Sequence, residues 1–121
     1  MKRKGPRVDK SALAIGVPLR VRDPKHLKWI STLPCVITNF PGPNDPAHIS
    51  HQNGKGMALK VGDNNVLPLA HSEHLRQHSQ PEHEFWGKDL ARAKKLANDL
   101  YEITGQTTLA VFRIFQFQRG E

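Results

Sequence analysis

Apolar residues recur with helical spacing in one long stretch of this chain. From about Glu84 to Thr104 they fall at Trp86, Leu90, Ala93, Ala97, Leu100 and Tyr101, while Lys88, Arg92, Lys95 and Asp99 take the other face. That period predicts an amphipathic helix, closed by Gly105 in the C′ role. The segment that follows, TTLAVFRIFQFQ, has a different character: it is β-branched and aromatic and predicts a strand. Ala110, Phe112 and Ile114 would line one of its faces and Leu109, Val111, Phe115 and Phe117 the other. A strand apolar on both faces must be covered twice or pair with a second copy of the chain.

Earlier elements are shorter. In DPKHLKWISTL, Asp23 suits an N-cap and Pro24 a first helical turn, with Leu27, Ile30 and Trp29 as the apolar side. Pro34 then ends the helix. The run PCVITNF predicts a brief strand from Cys35 to Ile37, followed by the turn residues of PGPNDP. A second short strand is expected from Ala47 to Ser50. The glycines at 54, 56 and 62 mark an irregular loop, and NNVLPLA predicts a further strand that Pro68 confines to an edge or an end. HSEHLRQH predicts a helix with Ser72 as N-cap, His74, Leu75 and His78 on one side, and Pro81 as its limit. Residues 1–22 mix Lys, Arg, Gly and Pro without period and read as a basic arm, either disordered or laid across a partner. Residues 23–121 form the single expected domain.

Composition narrows the class of partner. A chain of 121 residues with 37% hydrophobic content supports one modest core. Its 18 Lys and Arg against 11 Asp and Glu give a formal charge of +7, which favours a polyanion, nucleic acid first, although a basic balance is also common among soluble proteins. One cysteine, Cys35, excludes an internal disulfide framework and a thiolate zinc knuckle, and a buried inert thiol is its simplest reading. No run has the apolar length of a membrane span, and no small-residue cleavage pattern follows the basic start. A cytoplasmic protein without membrane contact is expected.

The histidines change the picture most. Five of the seven, His48, His51, His71, His74 and His78, lie between Pro46 and His78. His74 and His78, four apart on a predicted helix, bring two imidazoles to one face, where both can hold one divalent cation. An isolated H-x-x-x-H is more often a pair of surface histidines. Here, however, His48 sits on a preceding strand, and Asp63, Asn64 and Asn65 open the strand that feeds the helix. Phosphodiester hydrolysis needs a base to deprotonate water and a cation to bear developing charge, and imidazole suits both needs.

The order of these residues resembles the HNH nucleases of the ββα-metal superfamily. Ala47-His48-Ile49, then Asn65-Val66-Leu67-Pro68-Leu69-Ala70, then Glu73-His74 follow the family's D-H-I, N-L-x-x-L-C and C-H pattern. The run GKGMALKVGD, the Pro-Leu before the helix, the H-x-x-x-H and Phe85-Trp86 are similar to small phage and prophage members of the recombination-enhancement nuclease kind. The resemblance covers residues 33–86. It implies an α+β fold with a ββα-metal core, to which the C-terminal helix and strand are additions.

It also implies roles. His48 matches the general base, Asn65 the asparagine that orients it, His74 the last metal ligand and His78 an added ligand of the phage-type members. Asp63 matches an acidic residue of the same loop and competes with Asn65 for orienting or ligating work. His51 and His71 have no firm counterpart. Ala47 stands where many relatives carry a metal-binding Asp; Thr38, Ala70 and Glu73 stand where they carry knuckle cysteines, so packing among Val36, Ile37, Leu67, Leu69 and Leu75 would replace a knuckle. The implied function is a metal-dependent endonuclease that cuts DNA with low sequence specificity. Lys55, Lys60 and the arm residues Lys2, Arg3 and Lys4 would hold the backbone. One divalent ion, magnesium, manganese, zinc or nickel, is the implied cofactor. RNA stands as an alternative substrate, and either a monomer or a homodimer is compatible. The alternatives in other classes are a catalytically silent DNA-binding module on the same scaffold and a structural zinc protein.

Overall fold

A computed structural model describes residues 7–8, 21–49 and 61–121. The chain is a mixed α+β protein in which a small antiparallel hairpin is packed by helices. The element order is β1 (Arg7–Val8), β2 (Val21–Arg22), α1 (Pro24–Ile30), β3 (Asp45–His48), β4 (Val66–Leu69), α2 (His71–His78), α3 (Glu82–Trp86), a 3₁₀ turn (Gly87–Asp89), α4 (Leu90–Glu102) and α5 (Thr107–Gln118). β1 pairs antiparallel with β2, and β3 with β4. Lys2, Arg3, Lys4, His51, Lys55 and Lys60, with the phosphate-holding roles expected of the lysines and Arg3, lie outside the described residues. Within the expected arm, Arg7–Val8 and Val21–Arg22 are strand rather than aperiodic chain.

The central hairpin contains a proline in each strand, in register: Pro46 stands opposite Pro68. The ladder tolerates both because of where they fall. Ile49 N donates to Asn65 O at 2.8 Å, so antiparallel alternation makes 49/65, 47/67 and 45/69 the hydrogen-bonded pairs and leaves 46/68 as a pair whose N–H positions face outward. Pro68 O, turned outward, accepts from Val36 N at 3.1 Å. Val66, Leu67 and Leu69 are fully buried, with Ala47 and Ile49 beside them. Each such branched side chain contributes about 1.5–3 kcal/mol of burial.

Three helices close on this hairpin: α1 and α2 pack against both strands, and α4 packs on β4. Asp23 caps α1, its Oδ1 accepting from His26 N at 3.2 Å, as the sequence predicts. His26 itself is buried and binds Thr104 Oγ1 through Nδ1 at 2.8 Å, while Trp29 Nε1 donates to Thr107 Oγ1 at 3.1 Å. Those two bonds tie α1 to the junction of α4 and α5.

The structure corrects several sequence expectations. TTLAVFRIFQFQ is helix α5, not a strand. Its apolar residues also satisfy a helical period: Ala110 and Ile114 are buried and Phe117 packs on the core, at spacings of four and three, while Phe112 and Phe115 are about half exposed. Packing of that stripe on α4 overrides the β-propensity of the segment. Cys35–Ile37 is not a strand either. Residues 36–38 form a turn in which Cys35 Sγ accepts from Ile37 N and Thr38 N at 3.4 Å, and Asn44 Nδ2 clamps the loop by donating to Leu33 O and Phe40 O. The long helix is interrupted at Gly87, whose φ of +57° ends α3 before α4 begins. The helix at 71 starts with Ala70 rather than Ser72 at the N-cap. Of the packing set expected to replace a knuckle, Val36, Leu67 and Leu69 are buried, but Ile37 and Leu75 are exposed.

Candidate functional site

β3 carries two carboxylate–imidazole groups, one at each end. At its C-terminal end, His48 Nε2 lies 2.9 Å from Asp63 Oδ1. A carboxylate oxygen only accepts, so Nε2–H is the donor and the lone pair of His48 falls on Nδ1. Asp63 is itself held. Its Oδ2 accepts from Asp23 N at 2.7 Å, and its own N–H donates to Val21 O at 2.9 Å. The segment that starts α1 therefore fixes the carboxylate that fixes the imidazole. Asp63 is 12% exposed and His48 is 40% exposed, which leaves a buried anchor behind an accessible base.

Gly62 permits that approach. A Cβ at this position would lie 2.5 Å from Asn64 Oδ1 and 3.2 Å from Val21 N, so the loop and β2 come together where only a glycine fits without displacement.

At the N-terminal end of β3, Asp45 Oδ2 accepts from two imidazoles, His71 Nδ1 at 2.7 Å and His74 Nδ1 at 2.9 Å. These hydrogen bonds, that from His71 first, hold the Asp45 carboxyl below the usual carboxylate value. His74 in turn presents Nε2 to His78 Nε2 at 3.1 Å, with the ring centres 4.7 Å apart. The helical spacing read from the sequence does bring these two rings together. Because α2 touches Asp45 through His71 and His74 and reaches His48 O through Gln77 Nε2 at 3.5 Å, the helix runs along β3, its last turn over His48.

The hydrogen bonds divide His48, Asp63, His74 and His78, expected from the sequence to meet around one ion, into two groups along β3. Asp63 has one oxygen on His48 and the other on Asp23 N, while His74 has Asp45 and His78 has His74. Asn65, expected as the orienting residue, points Nδ2 at Asn64 Oδ1 (3.3 Å), while its buried Oδ1 has no hydrogen-bond partner among the described residues. Its contribution is made by the main chain, which closes the loop through Asn65 N to Gly62 O and Asn65 O to Ile49 N. The sequence reading missed Asp45 altogether. It lies inside PGPNDP, where an aspartate reads as turn chemistry, and only its pairing in β3 brings it to α2.

Among the described residues no three His, Cys, Asp or Glu side chains form a metal-holding group. The reason is visible in the bonds: Asp45 Oδ2 is occupied by ring Nδ1 atoms, so it stands behind the imidazoles rather than beside their Nε2 atoms. The His74–His78 pair is nevertheless a fit for half a coordination shell. With metal–nitrogen bonds of about 2.1 Å, an Nε2 separation of 3.1 Å corresponds to an angle of about 95° at an ion, a normal angle between neighbouring ligands.

No family model, curated protein or solved structure matches the chain. Among the described residues no helix is long and apolar enough to cross a membrane. The class defined by fold and site is an α+β protein whose hairpin and following helix carry a His48–Asp63 pair and an Asp45–His74–His78 chain of hydrogen bonds.

Proposed function

We propose that the chain is a metal-dependent endonuclease of the HNH kind that hydrolyses DNA phosphodiester bonds with little sequence preference. The observation that carries this reading is the anchored His48–Asp63 pair: a carboxylate pinned by Asp23 N holds Nε2 of a partly exposed imidazole, which leaves Nδ1 as the nitrogen to take a proton from water. The hairpin followed directly by α2, in the order the HNH resemblance requires, supports it further.

In this mechanism Nδ1 of His48 removes the proton of a water aligned on the phosphorus, and the Asp63 carboxylate stabilises the imidazolium that results. A divalent ion bound by His74 and His78 would supply positive charge against the charge that builds on the phosphate and the leaving 3′ oxygen. The surplus of basic residues in the chain favours the polyanionic backbone, and affinity should fall steeply as salt rises.

Incubating supercoiled plasmid with the protein and a divalent ion tests the reading. Wild type should nick it, and His48→Ala should lose the nicking while still retarding DNA in a gel. Full activity in His48→Ala would remove His48 as the base. One observation favours a second reading, a silent DNA-binding module: Ala47, at the position where relatives place a metal-binding Asp, is fully buried, and the described residues provide only two imidazoles for an ion. That module would shift DNA and leave the plasmid intact with every ion tried.

A further inference from the structure

Asp45 is the residue of this region that neither the motif nor the proposed chemistry uses, yet it receives two of its shortest hydrogen bonds. Its Oδ2 meets Nδ1 of both His71 and His74, and it stands at the entry of β3, opposite Leu69. We propose that Asp45 is a positioning residue: it locks His74 as the Nδ1–H tautomer, so that the Nε2 lone pair is turned to the point shared with His78 and is ready for a metal ion. The inference rests on the nuclease reading only for what the ion is used for.

The argument is one of proton accounting. A neutral imidazole carries one ring proton, and in the absence of a partner that proton favours Nε2. A carboxylate at 2.9 Å from Nδ1 of His74 demands the proton there. The opposite nitrogen is then unprotonated, and it is the nitrogen that stands 3.1 Å from His78 Nε2. Carboxylate, imidazole and ion in this order make the ligand more basic and fix its ring plane, which is why outer partners of this kind govern affinity. His71 shares the same oxygen from the exposed side of the helix and adds a second bond that keeps Asp45 turned towards α2.

Long-range ¹H–¹⁵N correlation spectra of the metal-free full chain report the tautomer of each ring without DNA or activity. Wild type should show His74 as Nδ1–H. Asp45→Ala should return it to Nε2–H, and Asp45→Asn, whose amide oxygen can take the same place, should retain Nδ1–H. Titration with cobalt(II) or nickel(II) should then show affinity reduced by about 10- to 100-fold in Asp45→Ala. In a His74→Ala background, Asp45→Ala should cost nothing more, which a merely structural role would not produce. The same tautomer in wild type and Asp45→Ala, or unchanged ion affinity, would overturn the inference and leave the nuclease reading standing. A tautomer shift and affinity loss in a protein that nicks no plasmid would support Asp45 and defeat the nuclease.

Discussion

Replacing Asp63 by Asn keeps the shape of the side chain and tests what its charge does. Both carboxylate oxygens accept: Oδ1 from His48 Nε2 at 2.9 Å and Oδ2 from Asp23 N at 2.7 Å. An amide has one acceptor and one donor end, so it must choose. Asp23 N–H cannot give up its proton, and a backbone donor facing an NH₂ group would be buried without a partner. The amide oxygen therefore goes to Asp23 N, and the NH₂ faces His48. To accept from it, Nε2 must lose its proton, which moves to Nδ1. The atom that should take a proton from water then already holds one.

A wrong-tautomer defect of this kind removes about 10⁴-fold of rate in the serine-protease triad, for which that loss was established, corresponding to about 5.5 kcal/mol of barrier. The same order is expected here. Stability should fall by only about 1–2 kcal/mol, since one hydrogen bond survives and the other is reversed rather than lost. Single-turnover plasmid nicking measures the first quantity and thermal melting the second. Ion affinity should not change, because the His74–His78 pair uses Asp45 and not Asp63. Nicking by Asp63→Asn at more than about a tenth of the wild-type rate would refute the tautomer argument, and a large loss of ion affinity would show that Asp63 is a ligand instead.

Three further outcomes follow from the structure. His78→Ala removes one of two facing nitrogens and should weaken nickel(II) or cobalt(II) binding by at least about tenfold while leaving the melting temperature of the metal-free protein within the error of scanning calorimetry; unchanged affinity would exclude the pair as the ion site. Gly62→Ala puts a Cβ 2.5 Å from Asn64 Oδ1 and should lower nicking more than it lowers stability, because the loop it displaces carries Asp63; equal activity would mean that Asn64 turns away freely. Ile114→Ala should cost about 2–5 kcal/mol and Phe112→Ala less than about 0.5 kcal/mol in urea unfolding, since one is fully buried and the other half exposed on a helix; similar costs at both positions would fit a strand with the face they share covered.

How much of this was legible in the sequence differs element by element. Asp23 and Pro24 announced α1, because a cap bond and a fixed φ depend only on neighbouring residues. The pairing of His74 with His78 was equally local, a matter of four residues on one helix. The role of Asp45 was not legible, since its partners lie 26 and 29 residues away and only the β3–β4 register delivers it to α2. Nor was the choice of Asp63 over Asn65 behind His48, which depends on Asp23 N, a group 40 residues distant, claiming the second oxygen.

The sequence by itself determined the local elements whose signals lie within one turn: the cap at Asp23, the paired histidines, and the amphipathic stripe of α4. Tertiary structure alone decided that TTLAVFRIFQFQ is a helix, because a segment apolar at both periods takes whichever conformation finds a surface to bury on, and α4 offers one that fits Ala110, Ile114 and Phe117. It also decided which carboxylate serves which imidazole. Hydrogen bonds between distant residues are set by strand register and loop approach, and those are properties of the packed chain that no window of neighbouring residues contains.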